Sequence, residues 1–151
     1  GPSVIKRFYC NKYILVIVDD FSRFTWVYFL KQKSEATTKV KGFIKQIELL
    51  LRKLVCNIRS DNGLEFKNQT FEEFLTAKGV THNFSAHYTS QQNIFVERRN
   101  RSLCEPARIM LSFANLPLYF LGDAIGTTCF TKNHSILNKR FCVTPYEIIN
   151  K

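Results

Sequence analysis

The sequence lacks the features that mark several common classes of protein. Its five cysteines form no C-x-x-C pair and no short cluster with histidine, which argues against structural zinc sites and disulfide frameworks. The apolar run at residues 13–18 is far too short to span a membrane, and the first residues do not have the pattern of a signal peptide. Repeats, linkers and low-complexity tracts are missing as well. We therefore expect an intracellular protein with reduced thiols and no membrane association.

The composition indicates one globular domain with an excess of positive charge. Apolar residues make up 45% of the 151 residues, which is enough for a single core. Lys and Arg number 22 against 12 Asp and Glu, so the formal net charge is +10. Phosphate contacts and counterion release favour a nucleic-acid partner for such a chain, although a merely basic soluble protein is the alternative.

The first half of the chain predicts strands and a helix. Residues 13–18 and 24–30 are apolar and separated by a short polar turn, which predicts an antiparallel hairpin. Residues 35–53 carry apolar side chains at helical spacing behind Ser34, a plausible N-cap. Residues 54–59 predict another strand, which Ser60, Asp61, Asn62 and Gly63 end with strong turn chemistry.

The second half predicts more helices than strands. Thr70 and Glu73 suggest a capping box for a helix that ends at Gly79, and residues 80–84 predict a short strand. A polar loop at 85–93 precedes a helix from about Phe95, which Pro106 is expected to bend. A helical extension over about 117–151 ends in a second capping box, with Thr144 as its N-cap. This order predicts a mixed α/β fold in one domain, residues 1–151.

Two carboxylates are candidates for a metal site. Asp61 follows a predicted strand and Glu97 lies near the start of a predicted helix. Together they could hold Mg²⁺, a hard cation that takes oxygen ligands and keeps waters for a phosphate substrate. Spacing alone is weak evidence, however, because an acidic residue at a helix start is also an ordinary stabiliser of the helix dipole.

Four ordered stretches resemble the integrase of copia-type long-terminal-repeat retrotransposons, especially those of plants. They read VDDFSRFTWVYFLKQKSE at 18–35, IRSDNGLEF at 58–66, HYTSQQNIFVERRNRSL at 87–103 and TPYEII at 144–149. The resemblance spans nearly the whole chain and implies an RNase H-like fold, a mixed five-stranded sheet flanked by helices. It further implies Mg²⁺- or Mn²⁺-dependent polynucleotidyl transfer: water attacks in 3′-processing, and a DNA 3′-hydroxyl attacks in strand transfer.

The resemblance also assigns residues. Asp61 and Glu97 match two of the three catalytic, metal-binding carboxylates of the family. Further polar residues match family positions that flank the metals or line the DNA-contacting loop: Asn62, Tyr88, Gln91, Gln92 and Asn93. Independently of the resemblance, Asn100 and Arg101 lie three and four positions after Glu97, so on a helix they share its face, where a cation could bind DNA phosphate. The alternatives are polar loop filler for the first group and a solvated, Arg-rich helix face for the second.

The sequence departs from the family pattern in a few places. The first family Asp lies on the central strand just before a Gly-Pro pair, so the match at Gly1 and Pro2 places it upstream of this chain. That strand is then largely missing, with residues 4–9 filling part of its place. If residues 1–3 are a cloning remnant, the boundary says nothing about the natural protein, but the Asp is still missing from this chain. Asp19 and Asp20 close the following strand in the family and are not expected to replace it.

Substitutions within the matched motifs also bear on activity. Ile94 stands at a family Gly, Ser90 at a Pro, and Pro106 at a position that is usually Ala. A β-branched residue at 94 removes the conformational freedom that glycine gives a mobile loop. Together these changes indicate an ageing element copy or a diverged descendant.

The sequence thus predicts an integrase catalytic core that acts in DNA integration and is inactive as this fragment. Its expected partners are the element ends and target DNA, and a second copy of the chain in a homodimer or higher homo-oligomer. The nucleus is its expected site of integration, after a stage in a cytoplasmic particle. The alternative is a catalytically dead module, derived from an integrase, that binds nucleic acid or self-associates.

Overall fold

The computed structural model describes residues 3–8, 12–85 and 90–151, with side chains from residue 13 to 85 and from 101 onward. Its strands are β1 (Ser3–Phe8), β2 (Lys12–Val18), β3 (Thr25–Leu30), β4 (Asn57–Ser60) and β5 (Thr81–Phe84). Its α-helices are α1 (Glu35–Leu51), α2 (Gln69–Lys78), α3 (Ser90–Phe113), α4 (Leu121–Ser135) and α5 (Pro145–Ile149). Short 3₁₀ turns lie at Leu64–Phe66 and Leu118–Phe120.

The described strands form two sheets rather than the single five-stranded sheet that the resemblance implied. β2 is the centre of an antiparallel sheet in the order β1-β2-β3, and β4 pairs with β5 in parallel. Ser3 lies opposite Val16, so β1 pairs with β2, and its correspondence to part of the family's first strand stays a prediction. The predicted hairpin is confirmed, with Val18 opposite Thr25 and Tyr13 opposite Leu30. The expected central connection between the two sheets is not seen in the described ranges.

The core divides into two clusters because β2 is buried on both faces. Ile14, Val16 and Val18 pack against buried residues of α3 and α4, among them Leu103, Leu111 and Ile125. Leu15 and Ile17 belong to the second cluster, with Val40 of α1, Ile58 of β4 and Phe71 of α2. Successive side chains of a strand point to opposite faces, so a strand covered on both sides has to be apolar throughout. This burial explains the continuous apolar run at residues 13–18.

The expected capping box at Thr70 and Glu73 is wrong. α2 begins at Gln69, and its N-cap is Asn68, whose side chain accepts hydrogen bonds from the backbone N–H of Thr70 at 2.9 Å and of Phe71 at 3.4 Å. Asn is as good an N-cap as Ser, and its extended backbone fits the entry to the helix. The predicted end is confirmed, since Gly79 caps α2 in the left-handed conformation at φ 71°.

The helix predicted from about Phe95 begins earlier, at Ser90, so the expected polar loop is shorter. Ser90 and Ile94 stand where the family has Pro and Gly, the two residues that most oppose a helix. Their replacement removes the local signals that would keep this segment out of the helix. α3 continues to Phe113 and contains Pro106 within it.

The C-terminal region is helical and packs on the antiparallel sheet. α4 contributes the buried residues Leu121, Ala124, Ile125 and Cys129 to the core on that face. The capping box before α5 is confirmed, because Thr144 Oγ1 accepts from Glu147 N while the Glu147 carboxylate accepts from Thr144 N. Burial raises the pKa of the Cys129 thiol to about 11, and the four described cysteines are free. No helix within the described ranges is long and apolar enough to cross a membrane.

Candidate active site

Asp61 lies directly after β4, at the edge where β4 and β5 both end. Its carboxylate Oδ1 accepts a hydrogen bond from the backbone N–H of Gly63 at 3.3 Å. Its backbone carbonyl accepts from the Ser60 hydroxyl at 3.0 Å. Asp61 and Asn62 are both half-buried, so a ligand can approach the carboxylate from solvent while the backbone is held by its neighbours.

The loop after Asp61 is anchored by an aromatic side chain. Phe66 is fully buried in the 3₁₀ turn at Leu64–Phe66, and its ring centroid lies 6.2 Å from that of Phe71 on α2. Burying a Phe side chain contributes about 1.5–3 kcal/mol. Because Phe66 fixes the far end of the loop and Ser60 fixes the near end, the Asp61 carboxylate is carried on a short, supported segment.

The second acidic pair, Asp19 and Asp20, closes the β2–β3 hairpin. Asp19 Oδ2 accepts from the backbone N–H of Ser22 at 2.8 Å and from its hydroxyl at 2.6 Å. Arg23 takes the left-handed conformation at φ 64°, and its backbone N–H donates to the Asp19 carbonyl at 2.9 Å. The exposed Asp20 carboxylate lies 3.6 Å from the Arg23 guanidinium. The Asp19 carboxylate is therefore occupied in forming the turn.

A groove of about 500 Å³ separates the end of β2 from β4. Its two sides are residues 17–22 and residues 53–59, and its floor includes Val40, Ile44 and Ile47 of α1. At its rim, Glu48 accepts from Val55 N at 3.0 Å and pairs with the Lys78 ammonium at 2.7 Å. These contacts, Lys78 first, hold the pKa of Glu48 below its ordinary value.

The other predicted site residues lie mostly outside the described side chains. Tyr88 falls outside the described residues. Five others lie within α3, but their side chains are outside the described part of the chain: Gln91, Gln92, Asn93, Glu97 and Asn100. Arg101 is described and exposed, four positions after Glu97 on the helix and so on the same face. That the Asp61 and Glu97 carboxylates come together in one site stays a prediction.

The donor chemistry at Asp61 fits a divalent cation. A half-buried carboxylate with backbone support is the kind of oxygen ligand that Mg²⁺ takes. Among the described residues, no group of three or more His, Cys, Asp and Glu is placed to hold a metal ion. A cation at Asp61 would therefore need further ligands from outside these residues, and Glu97 stays the predicted one in this chain.

Three residues around Asp61 were missed in the sequence. Ser60 Oγ lies 2.9 Å from His82 Nε2 on β5, and His82 Nδ1 contacts the Glu72 carboxylate on α2. Sequence spacing gives no signal for this cluster. The parallel register of β4 and β5 brings Ser60 and His82 together, and α2 adds Glu72.

Comparison with known proteins places the chain among the integrases. The integrase core domain family matches residues 4–90. The retrovirus-related Pol polyprotein from transposon TNT 1-94 of Nicotiana tabacum is 37% identical over 135 residues, which are 89% of this chain and 10% of the polyprotein. The corresponding polyprotein from transposon RE2 of Arabidopsis thaliana is 33% identical over 122 residues, 81% of this chain and 8% of that protein. The chain thus spans about a tenth of these relatives.

Solved structures show the same fold. The HTLV-2 integrase catalytic core in complex with magnesium, in its trimeric form, has a TM-score of 0.68 and 27% identity, and the match covers 97% of this chain and 92% of that one. A chain of the simian T-cell lymphotropic virus intasome in complex with PP2A regulatory subunit B56 gamma has a TM-score of 0.73 and 21% identity. That match covers 100% of this chain and 52% of the other.

The mixed α/β architecture matches that of retroviral integrase catalytic cores, which have the RNase H-like fold. The chain belongs to the integrase core domain family, and its sequence relatives are Pol polyproteins of plant copia-type retrotransposons. The resemblance read from the sequence is confirmed.

Proposed function

We propose that the chain is the catalytic core of a retrotransposon integrase that joins DNA ends by Mg²⁺- or Mn²⁺-dependent polynucleotidyl transfer once the upstream segment is present. The 151-residue chain by itself is a nucleic-acid-binding module without this activity. The observation that carries the proposal is the position of Asp61: a half-buried carboxylate on a supported loop, in the sequence RSDNG within the residues that the integrase core domain family matches. The chain acts inside the cell and reaches the nucleus from a cytoplasmic particle.

The proposed site residues form two groups, those that bind the metal ions and those that contact DNA. Asp61 and Glu97 would hold the divalent ions, together with the family's first Asp supplied from outside these 151 residues. When bound, the ions stabilise the attacking and leaving oxygens of an in-line phosphoryl displacement. Arg101 grips a DNA phosphate beside them, while Asn62, Tyr88, Gln91, Gln92, Asn93 and Asn100 line the DNA path. The apolar residues packed around Phe66 and Phe71 exclude water from the core next to the Asp61 loop.

A strand-transfer assay tests the catalytic part of the proposal. The chain is extended upstream to include the family's first Asp, and its activity on a DNA end is measured with Mg²⁺, with Mn²⁺ and with a chelator. We expect joined products with either metal and none with the chelator. Activity that persists in the chelator would contradict metal-dependent transfer, and an extended chain that binds DNA without joining it would favour the dead binding module.

DNA binding is expected to depend steeply on salt. The formal charge is +10, and released counterions make such binding weaken as salt rises. The affinity of the 151-residue chain for duplex DNA should fall by at least about tenfold between about 50 and 200 mM salt. Fluorescence anisotropy measures this. Replacing Arg101 with Ala should reduce the slope of log affinity against log salt by about one.

Lys31→Ala is the matched control for Arg101→Ala. It also removes one exposed positive charge, but it lies on the β3–α1 connection rather than on α3. It should leave the slope nearly unchanged. Equal effects of the two substitutions would mean that DNA responds to total charge and not to the α3 face.

Self-association is proposed through the outer face of β3 and α4. Phe29 of β3 and Phe130 of α4, the latter 63% exposed, flank a shallow depression that Gly122 and Gly126 also line. Exposed aromatic rings beside residues without side chains permit close approach of a second surface. The trimeric and dimeric HTLV-2 cores are self-associated relatives of this fold.

Phe130→Asp is expected to weaken dimerisation by about tenfold or more, because exposed aromatic anchors carry much of the binding energy of an interface. Sedimentation equilibrium of the 151-residue chain measures the effect. Phe113→Asp changes an equally apolar and even more exposed ring at the end of α3, and it should leave the dimer intact. If Phe113→Asp weakens the dimer more than Phe130→Asp, the interface lies elsewhere.

A further inference from the structure

Ser60 lies between Asp61 and a histidine of the neighbouring strand. Its side chain is at the buried end of β4, and the residue is only 1% exposed. Its hydroxyl oxygen is 3.0 Å from the Asp61 carbonyl and 2.9 Å from His82 Nε2. A buried hydroxyl with two polar partners is held in one orientation, so Ser60 connects the backbone of Asp61 to His82.

The His82 ring is buried and contacts two aromatic rings and a carboxylate. Its side chain is 3% exposed, and its ring centroid lies 5.5 Å from that of Phe71 and 4.3 Å from that of Phe84. Nδ1 contacts the carboxylate of Glu72, which lies in the first turn of α2 and is partly exposed. A chain of polar contacts thus runs from the surface at Glu72 through His82 and Ser60 to Asp61, joining α2, β5 and β4.

The number of available hydrogens determines the direction of these bonds. Ser60 has one hydroxyl hydrogen, and if the Asp61 carbonyl accepts it, His82 Nε2 has to donate to Ser60 Oγ. The Glu72 carboxylate only accepts, so His82 Nδ1 also donates. All three contacts are made at once only when both ring nitrogens of His82 carry hydrogen. With hydrogen on Nδ1 alone, Ser60 donates to His82 and releases the Asp61 carbonyl.

We propose that His82 is a positioning residue for Asp61, acting from Glu72 through Ser60 to fix the peptide group that follows the carboxylate. The inference rests on the proposed role of Asp61 as a metal ligand. The peptide between Asp61 and Asn62 sets the direction in which the Asp61 side chain leaves the strand. Holding its carbonyl at Ser60, together with the bond from Gly63 N to Oδ1, keeps the carboxylate in one orientation before a ligand arrives.

Nitrogen-15 NMR of the histidine rings tests the bond directions in the 151-residue chain. Nε2 of His82 should carry hydrogen, which it donates to Ser60 Oγ. An Nε2 without hydrogen in the unsubstituted chain would overturn the proposal, because Ser60 would then donate to His82.

Three substitutions of His82 separate positioning from packing. Gln places an amide N–H near the position of Nε2, Asn places one near that of Nδ1, and Phe keeps only the ring. The Asn62 amide belongs to the peptide group whose carbonyl Ser60 holds, and the Gly63 amide donates to Asp61 Oδ1. His82→Gln should leave the Asn62 amide shift and Gly63 hydrogen exchange close to their original values. His82→Asn and His82→Phe should speed Gly63 exchange by about tenfold, as loss of one hydrogen bond does.

Ser60→Ala is the matched control at the other end of the chain of contacts from Glu72 through His82 to Ser60. It should reproduce the effect of His82→Asn, and the double substitution should add little, because both remove the same connection. Equal effects of Gln, Asn and Phe at position 82, at matched denaturation midpoints, would show that His82 only packs. Neither the amide shift nor the hydrogen exchange involves metal or DNA. These measurements can therefore show that His82 does not position Asp61 even if Asp61 is a metal ligand, and they can support positioning even if Asp61 binds no metal.

Discussion

Asp61→Asn, made in a chain that carries the upstream segment, is expected to reduce Mg²⁺-dependent strand transfer by at least about a thousandfold, since a metal site supplies several kcal/mol of transition-state stabilisation. Asn has nearly the same shape as Asp and still offers an oxygen to the Gly63 N–H, so the loop should keep its structure. What it loses is the negative charge that binds the cation. The measurement is the rate of joining at saturating DNA.

The matched control is Asp20→Asn. Asp20 is also an acidic residue in a turn after a strand, but its side chain is 69% exposed and its carboxylate pairs with Arg23 in the same turn. Its activity should stay within about twofold of the original, as surface changes of this kind usually cost little. Unchanged activity in Asp61→Asn would show that the two-metal assignment is wrong. An equal loss in both variants would point to total negative charge rather than to a site.

Much of the hairpin and of the helix periodicity could be predicted because those signals are local. The run at residues 13–18 is continuously apolar since β2 is buried on both faces, and the following turn is formed by Asp19 and Ser22 within a few residues. The Thr144 capping box was likewise readable, because both partners lie within four residues. Local hydrogen bonds and periodicity can be seen in a sequence without knowing the fold.

Helix starts were harder to predict because several residues competed for each one. Asn68, Thr70 and Glu73 all offer capping chemistry, and the structure uses Asn68. At α3 the family pattern favoured a loop up to Asn93, whereas Ser90 and Ile94 replace the residues that would prevent a helix. In both places the prediction followed a motif or a resemblance, whereas the structure follows the intrinsic preferences of the residues present.

The candidate site was only partly predictable from the sequence. Asp61 was recognised from its motif, and turn chemistry placed it after a strand. The relay of Ser60, His82 and Glu72 could not be predicted, because it depends on the parallel register of β4 and β5 and on the packing of α2 beside them. The pairing of distant strands is set by tertiary packing, which no short window of sequence contains.

Asn133 forms another connection of this kind, and its removal has the largest effect on stability that we expect from a single polar side chain. Its Oδ1 accepts from Thr25 N at 2.8 Å, and its Nδ2 donates to Thr25 O at 2.8 Å. Both residues are buried, so one amide of α4 satisfies both backbone groups of Thr25 at the start of β3. Cys129 Sγ is a further, weaker donor to Thr25 O at 3.2 Å.

Asn133→Ala should therefore lower the free energy of unfolding by about 2–4 kcal/mol, because it leaves the Thr25 N–H buried without its acceptor and weakens the bonding of the carbonyl. Urea denaturation followed by circular dichroism measures the change. Asn150→Ala is the matched control: its amide donates to Tyr146 O at 2.9 Å in an exposed position, and its loss should cost about 0.5 kcal/mol or less. Similar losses at the two positions would mean that water replaces Asn133, and that α4 is attached to β3 by its apolar contacts alone.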